Sequence, residues 1–422
     1  MLDWRRLLSA SRTAGDRPDP VDPARSPFQK DFDRIVFCSA FRRLQDKTQV
    51  HPLPESDYVR TRLTHSLEVA SVGRSLGAGA GHVISGRRRL PPDLGAAEFG
   101  HIVSAACLAH DIGNPPFGHR GEALIRDWFS GSPTGRAAIA GLDEAQRLDF
   151  LRFEGNAQGF RVLTRLQNWR DAGGLRLTAA MLGAFTKYPC QSDAVTGREA
   201  GSRKFGVMQS ELPIFRRLAD ELGLPEEFPG RWRRHPLTWL VEAADDICYS
   251  VVDLEDGFKL GKLSFDTVAG LLMPLAGDGR RYREIGEDGR RVSYLRAKAI
   301  GRLVDQAIAA FLDAEPSMLE GAPPPPLLEI VPASARIREI NDVTARHVFV
   351  ADDDYDTYLG ADRVIAWLLE RVMAEDLFAA DRYERILRTT DHISGMTDSY
   401  ALQTYRKGTG MLPARPSGYR AL

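Results

Sequence analysis

The stretch from Ala96 to Glu122, AAEFGHIVSAACLAHDIGNPPFGHRGE, decides how the rest of this 422-residue chain is read. From Ala96 to His110 it is apolar almost all round a helical wheel, which predicts a helix buried on every side. Gly113-Asn114-Pro115-Pro116 then breaks it. A fully buried helix needs other helices around it, and the flanking sequence supplies them. Helical spacing is read in Phe32–Gln49 (with FCSAFRRLQ), in Arg62 to about Leu76, in Glu122–Trp128 and in Asn156–Asn168. His235–Phe258 is long and amphipathic, with Pro236 suited to its first turn. Strand signals are thin: only VFVADDDYDTY, at 348–358, reads as a short strand and turn. Ser130–Gly141 and Cys190–Phe205 read as loops. The expected fold class is all-α. Residues 1–30, rich in Pro, Asp, Arg and Ser, are expected to form a loosely held arm, and residues 31–275 the core. Residues 276–422 form a peripheral C-terminal helical layer, with a helix around 292–315 between Gly277–Arg291 and Pro323–Pro326.

Composition narrows the function classes. Lys and Arg number 56 against 57 Asp and Glu, a net charge of −1, which argues against a basic nucleic-acid coat or an acidic tail protein. Two local basic runs, Arg87-Arg88-Arg89 and Arg231 to Arg234, fit either single-stranded DNA contact or a solvated surface. Cys38, Cys107, Cys190 and Cys248 are scattered, with no C-x-x-C pair, so neither a disulfide framework nor a thiolate zinc site is expected. No window is long and apolar enough for a membrane span, and the first residues lack a signal-peptide core. A cytoplasmic protein without membrane contact is expected.

Chemistry concentrates in a few positions. His65, the adjacent pair His110-Asp111, and Asp245 form a candidate metal set, because a carboxylate at the end of a buried helix needs a compensating cation or hydrogen bonds. Imidazole plus carboxylate suits Mn²⁺, Fe²⁺, Co²⁺, Ni²⁺ or Zn²⁺ better than Ca²⁺; helix capping is the competing role for the His-Asp pair. Asp245, Tyr249 and Asp253 stand at i, i+4 and i+8, about 6 Å apart along one helical stripe. Val241, Ala244, Cys248 and Val252 make the adjacent face apolar, and the competing reading is a solvated acidic face. Past the Gly/Pro turn comes His119, with Glu122 three residues on. A histidine oriented by a carboxylate is the usual construction of a general acid, the alternative being an N-cap histidine.

RTRLTHSLEV, LAHDIGNPPFGHRGEA, FEGNAQGFR and PLTWLVEAADDICYSVVDLEDG together resemble the bacterial deoxyguanosine triphosphate triphosphohydrolases, within the HD-domain phosphohydrolases. The likeness runs in blocks from about Phe41 to Gly257 and recurs in DHISGMTDSYA, Asp391 to Ala401. H…HD…D marks the superfamily alone; HDIGNPPFGH, FEGNAQ and EAADDI mark this branch. The resemblance implies an HD-domain helical bundle. It further implies metal ligation by His65, His110, Asp111 and Asp245, with Mn²⁺ or Mg²⁺ foremost, and catalysis by His119 supported by Glu122. It also implies that Arg62 and Lys187 contact phosphates and that Gln49, Tyr249 and Asp253 hold the deoxyribose. Glu154 and Asn156 match without an assigned role. The implied reaction converts a deoxynucleoside triphosphate (dNTP) to deoxynucleoside and inorganic triphosphate. The alternatives are another HD-domain nucleotide phosphohydrolase, such as a nucleotidase or alarmone hydrolase, and a nucleic-acid-binding regulatory module. A homo-oligomer and a second dNTP as activator are also implied. The chain is shorter than the enterobacterial enzymes, which leaves the preferred base open.

Overall fold

The helix Ala96–Ala109 lies at the centre of the molecule, with Phe99, Ile102, Val103, Ala105, Ala106 and Leu108 fully buried. The structure, a computed structural model, describes residues 1–12, 22, 24–48, 60–168, 173–197, 200–277, 281–348, 355–375 and 381–411. Helices Pro27–Val36, Arg62–Arg88, Ala179–Phe185 and Leu237–Lys259 surround the central one. Gly73, Gly77 and Gly81, one turn apart on Arg62–Arg88, permit the closest of these contacts. A Cβ on Gly77 would stand 2.5 Å from the Phe99 carbonyl oxygen, so only glycine allows the backbones this near. Among the described residues the one strand pair is Glu226–Phe228 with Arg231–Trp232, antiparallel and peripheral. The fold is all-α.

Apolar side chains divide into two cores. The first gathers the central helix and its neighbours with the long helix Asp288–Glu320 and helix Ser334–His347. The second joins Leu124, Ile125, Phe129, Phe150, Phe153 and Phe205 to the C-terminal helices Tyr355–Glu375, Arg382–Ser394 and Asp398–Gly408. Thus the stretch beyond residue 276 packs partly on each core.

Several sequence expectations need correction. The first residues are no loose arm: Leu2, Trp4, Leu7 and Leu8 are at most 4% exposed, and Trp4 Nε1 donates to Glu315 Oε1 at 2.7 Å. Four apolar side chains in eight residues outweigh the polar stretch that follows. Within Ser130–Gly141, Pro133–Ile139 is helical, because Ser132 caps the Gly135 amide and Pro133 sits where its missing N–H costs nothing. In the expected strand at 348–358, Val348 is a turn residue and Tyr355 opens a helix; residues 349–354 lie outside the described residues. Within Phe32–Gln49 the helix expected at FCSAFRRLQ is shorter, Ser39–Arg43, capped by Cys38, and a separate helix, Pro27–Val36, held by a Ser26–Gln29 capping box, precedes it. Helix Gly118–Gly131 starts four residues before the expected Glu122, so His119 is on the helix rather than in the turn before it.

Candidate metal and acid–base site

Three helices of the first core bring one side chain each to a common point. His65 stands in the first turn of Arg62–Arg88, opened by Thr61 as N-cap; His110 is the C-cap of the central helix; Asp245 projects from Leu237–Lys259. Ligand atoms of His65, His110 and Asp245 all lie within 4.8 Å of one another. His65 Nε2 is 3.0 Å from Asp245 Oδ1, and His110 Nε2 is 3.6 Å from the same oxygen. Asp111 Oδ2 is likewise 3.6 Å from His110 Nε2, and accepts from Arg62 Nη1 at 2.7 Å.

This donor set fits a divalent cation. His110 Nδ1 donates to the Cys107 carbonyl at 2.7 Å; that oxygen can only accept, so the tautomer leaves Nε2 aimed at two carboxylates. Lone pairs facing lone pairs are stable only with positive charge between them. Burial works against the Asp245 carboxylate, yet the charges of His110 and His65 hold its pKa well below the usual range. Asp111, buried too, is drawn down to about 2, chiefly by Arg62.

The candidate acid–base pair, His119 and Glu122, stands on helix Gly118–Gly131, which packs in the second core. His119 Nδ1 lies 3.0 Å from Glu122 Oε2, and the buried Glu122 accepts the Gly155 amide on its other oxygen at 2.7 Å. The hydrogen bond to Glu122 raises the His119 pKa, favouring the imidazolium, while the ring itself remains open to solvent with 77% of its side chain exposed. Phe117 and Gly118 both have left-handed backbone, φ 63° and 56°, and this sharp entry aims His119. A Cβ on Gly118 would meet Arg62 Nη2 at 2.5 Å, so the guanidinium that holds Asp111 also lies against the backbone just before His119.

The stripe on Leu237–Lys259 is placed as spacing predicts, with unequal burial. Asp253 is 6% exposed and its Oδ2 accepts no hydrogen bond; burial, opposed by the nearby His65, pushes its pKa up to about 8. Tyr249 is 39% exposed. Lys187 Nζ is 3.4 Å from Glu242 Oε1, one turn before Asp245. Gln49 lies outside the described residues.

Sequence reasoning missed two residues and left Glu154 without a role. Glu154 is buried; Lys204 Nζ is 2.7 Å from its Oε1 and Asn156 donates to its Oε2 at 3.3 Å. Burial first, then the neighbouring Glu122, raises its pKa. Lys204 sits in an irregular segment without periodicity, so no pattern pointed to it. Asp398, in DHISGMTDSYA, accepts the Phe117 amide at 2.9 Å on one oxygen and the Thr48 amide and hydroxyl on the other, pinning the turn that aims His119. The basic runs are largely engaged internally. Arg88 pairs with Glu315, Arg233 with Glu227 and Arg234 with Glu242, and the Arg231 guanidinium lies over the Phe228 ring at 4.0 Å.

Residues 62–154, which carry His65, His110, Asp111, His119, Glu122 and Glu154, match the HD domain, and the site is that of an HD-domain phosphohydrolase. Similarity extends well past that domain. The chain is 41% identical to the deoxyguanosinetriphosphate triphosphohydrolase-like protein of Pseudomonas aeruginosa, over 97% of this chain and 99% of the relative. It is 42% identical to the protein of the same description from Synechocystis sp., over 97% and 100%. With the deoxyguanosinetriphosphate triphosphohydrolase of Yersinia enterocolitica identity is 30%, over 96% and 98%. The chain belongs to the deoxyguanosinetriphosphate triphosphohydrolase-like family.

Proposed function

We propose that this protein hydrolyses a dNTP to deoxynucleoside and inorganic triphosphate. The observation that carries the reading is the juxtaposition of two separately built devices: a His/Asp cluster fit for a divalent cation and a His119–Glu122 pair poised as an acid. Arg62 bridges them. The names of the relatives support a triphosphate substrate.

His65, His110, Asp111 and Asp245 would hold the cation, Mn²⁺ or Mg²⁺ foremost, which when bound supplies Lewis-acid polarisation of a phosphate oxygen and lowers the pKa of water. The protein's own groups do the rest. A dNTP carries about four negative charges near neutral pH, and Arg62, Lys187 and Lys204 are cations arranged about the site to offset them. Water attacks the α-phosphorus, the P–O5′ bond breaks, and the departing 5′-oxygen needs a proton. His119, kept protonated by Glu122, donates it, a contribution of about 10²–10⁴ in rate. Asp253 offers its unpartnered buried oxygen to a sugar hydroxyl, an exchange that relieves an orphan acceptor. A sugar lacking that hydroxyl leaves the orphan in place and binds more weakly.

Product analysis tests this reading: Mn²⁺-loaded protein with each dNTP in turn should release inorganic triphosphate from at least one. Monophosphate or pyrophosphate as the sole inorganic product refutes it. Pairs of dNTPs in the same screen examine activation by a second nucleotide.

A further inference from the structure

A cavity of about 340 Å³ borders the Ile112–Gly113 turn, bounded by Ser39, Arg43, Lys47, Gln158, Asp391 and Ser394 among others. None of the metal-set, acid–base or sugar-stripe residues lines it. Its wall instead takes Gln158 from the FEGNAQ block and Asp391 and Ser394 from DHISGM, three residues that the reaction does not use.

Two buried polar groups in its wall have no partner. Gln158 is fully buried; its Nε2 donates to Asp391 Oδ1 at 2.8 Å, and since that carboxylate only accepts, the amide orientation leaves Oε1 as an orphan acceptor. Ser394, 3% exposed, has an Oγ without any hydrogen bond. Buried polar groups without partners are rare and call for an occupant or another reason. Positive charge stands in the same cavity. Lys47 is 4% exposed, and its Nζ is held by the carbonyls of Asn114 and Ser394 rather than by a carboxylate. Arg43 is exposed and among the described residues forms no ion pair. The one carboxylate in the wall, Asp391, is already neutralised by Arg161 at 2.8 Å. The volume lies within the range of small-ligand sites.

We infer that this cavity binds a small phosphate monoester of nucleoside-monophosphate size, its phosphate on Arg43 and Lys47 and a hydrogen-bond donor of its other end on Gln158 Oε1 and Ser394 Oγ. Burial with too little compensating charge brings the Lys47 pKa down to about 7, so an arriving phosphate meets a lysine whose proton it would stabilise. The cavity also has a short route to the metal set. Lys47 Nζ donates to the Asn114 carbonyl, and Asn114 Nδ2 donates to Asp111 Oδ1 at 2.5 Å.

The test is equilibrium dialysis of labelled deoxyadenosine 5′-monophosphate against full-length, Mn²⁺-loaded protein, in the wild type and in Asp253→Ala. A saturable site that survives Asp253→Ala is expected. Adding Arg43→Ala or Ser394→Ala to that variant should weaken the site at least tenfold, with metal content unchanged. Ser394→Ala should leave the melting temperature of the ligand-free protein the same or higher, because it removes an orphan hydroxyl and no contact. No saturable site, a site lost with Asp253→Ala, or one indifferent to Arg43→Ala overturns the inference. Inorganic phosphate displacing the label with equal affinity overturns the role of Gln158 and Ser394. Triphosphate release by the same wild-type preparation reports on the proposed reaction separately, so either can fail alone.

Discussion

At the scale of single residues, His119 and Glu122 divide one task. Glu122 is held by the Gly155 amide and holds His119, and its charge sustains the imidazolium above the ordinary imidazole pKa. The acid form is therefore present at low pH and is lost as pH rises through that raised value. Turnover should fall on the alkaline side at the same point. In Glu122→Gln the pKa drops, and the decline should begin at lower pH; an alkaline limb that does not move assigns the acid elsewhere. Replacing His119 with Ala should reduce kcat by about 10²–10⁴ while metal content stays near wild type. Loss of the metal in that variant would make His119 a ligand. Both residues were legible as a pair in the sequence, because three-residue spacing joins them. Lys204 and Asp398 were not, since their contacts, with Glu154 and with Phe117, join segments far apart in the chain.

At the scale of elements, close helix approach and a pinned turn set the geometry. The Gly73, Gly77 and Gly81 ridge brings Arg62–Arg88 against the central helix, and with it His65 against His110. Gly77→Ala forces a methyl onto the Phe99 carbonyl and should destabilise the fold by about 1–3 kcal/mol, read as a lower denaturant midpoint. Asp398 acts on the other side of the site. Asp398→Asn can no longer accept from both the Phe117 amide and the Thr48 groups, at a cost of about 1–3 kcal/mol. Turnover should drop with little change in metal affinity, because the turn aims His119 and not the ligands. Equal loss of metal would show that the two devices move together.

Across the whole molecule, the His65, His110 and Asp245 cluster grows from the first core and the proposed acid pair from the second, so the candidate site lies where the two cores meet. The N-terminal segment contributes to the first: Trp4 is buried against Phe99, with ring centroids 5.1 Å apart, and bonds Glu315. Trp4→Ala should cost about 3–5 kcal/mol in thermal or denaturant unfolding, whereas a loose arm would cost almost nothing. No helix among the described residues is long and apolar enough to cross a membrane.

What the sequence by itself determined is everything that periodicity and local chemistry encode. The fully apolar Ala96–His110 segment demands surrounding helices, and the stripe of Asp245, Tyr249 and Asp253, at four-residue spacing, follows from helical pitch. The His119–Glu122 pair is a contact within one turn. Tertiary structure alone decided which distant groups share one charge environment. Asp111 is claimed by Arg62, Asp253 is left with an orphan oxygen, Lys204 answers Glu154, and the C-terminal motif reaches back to Lys47, Thr48 and Phe117. The physical reason is that electrostatic and hydrogen-bond partners depend on distance through space, and nothing in local spacing reports which segments packing will bring together.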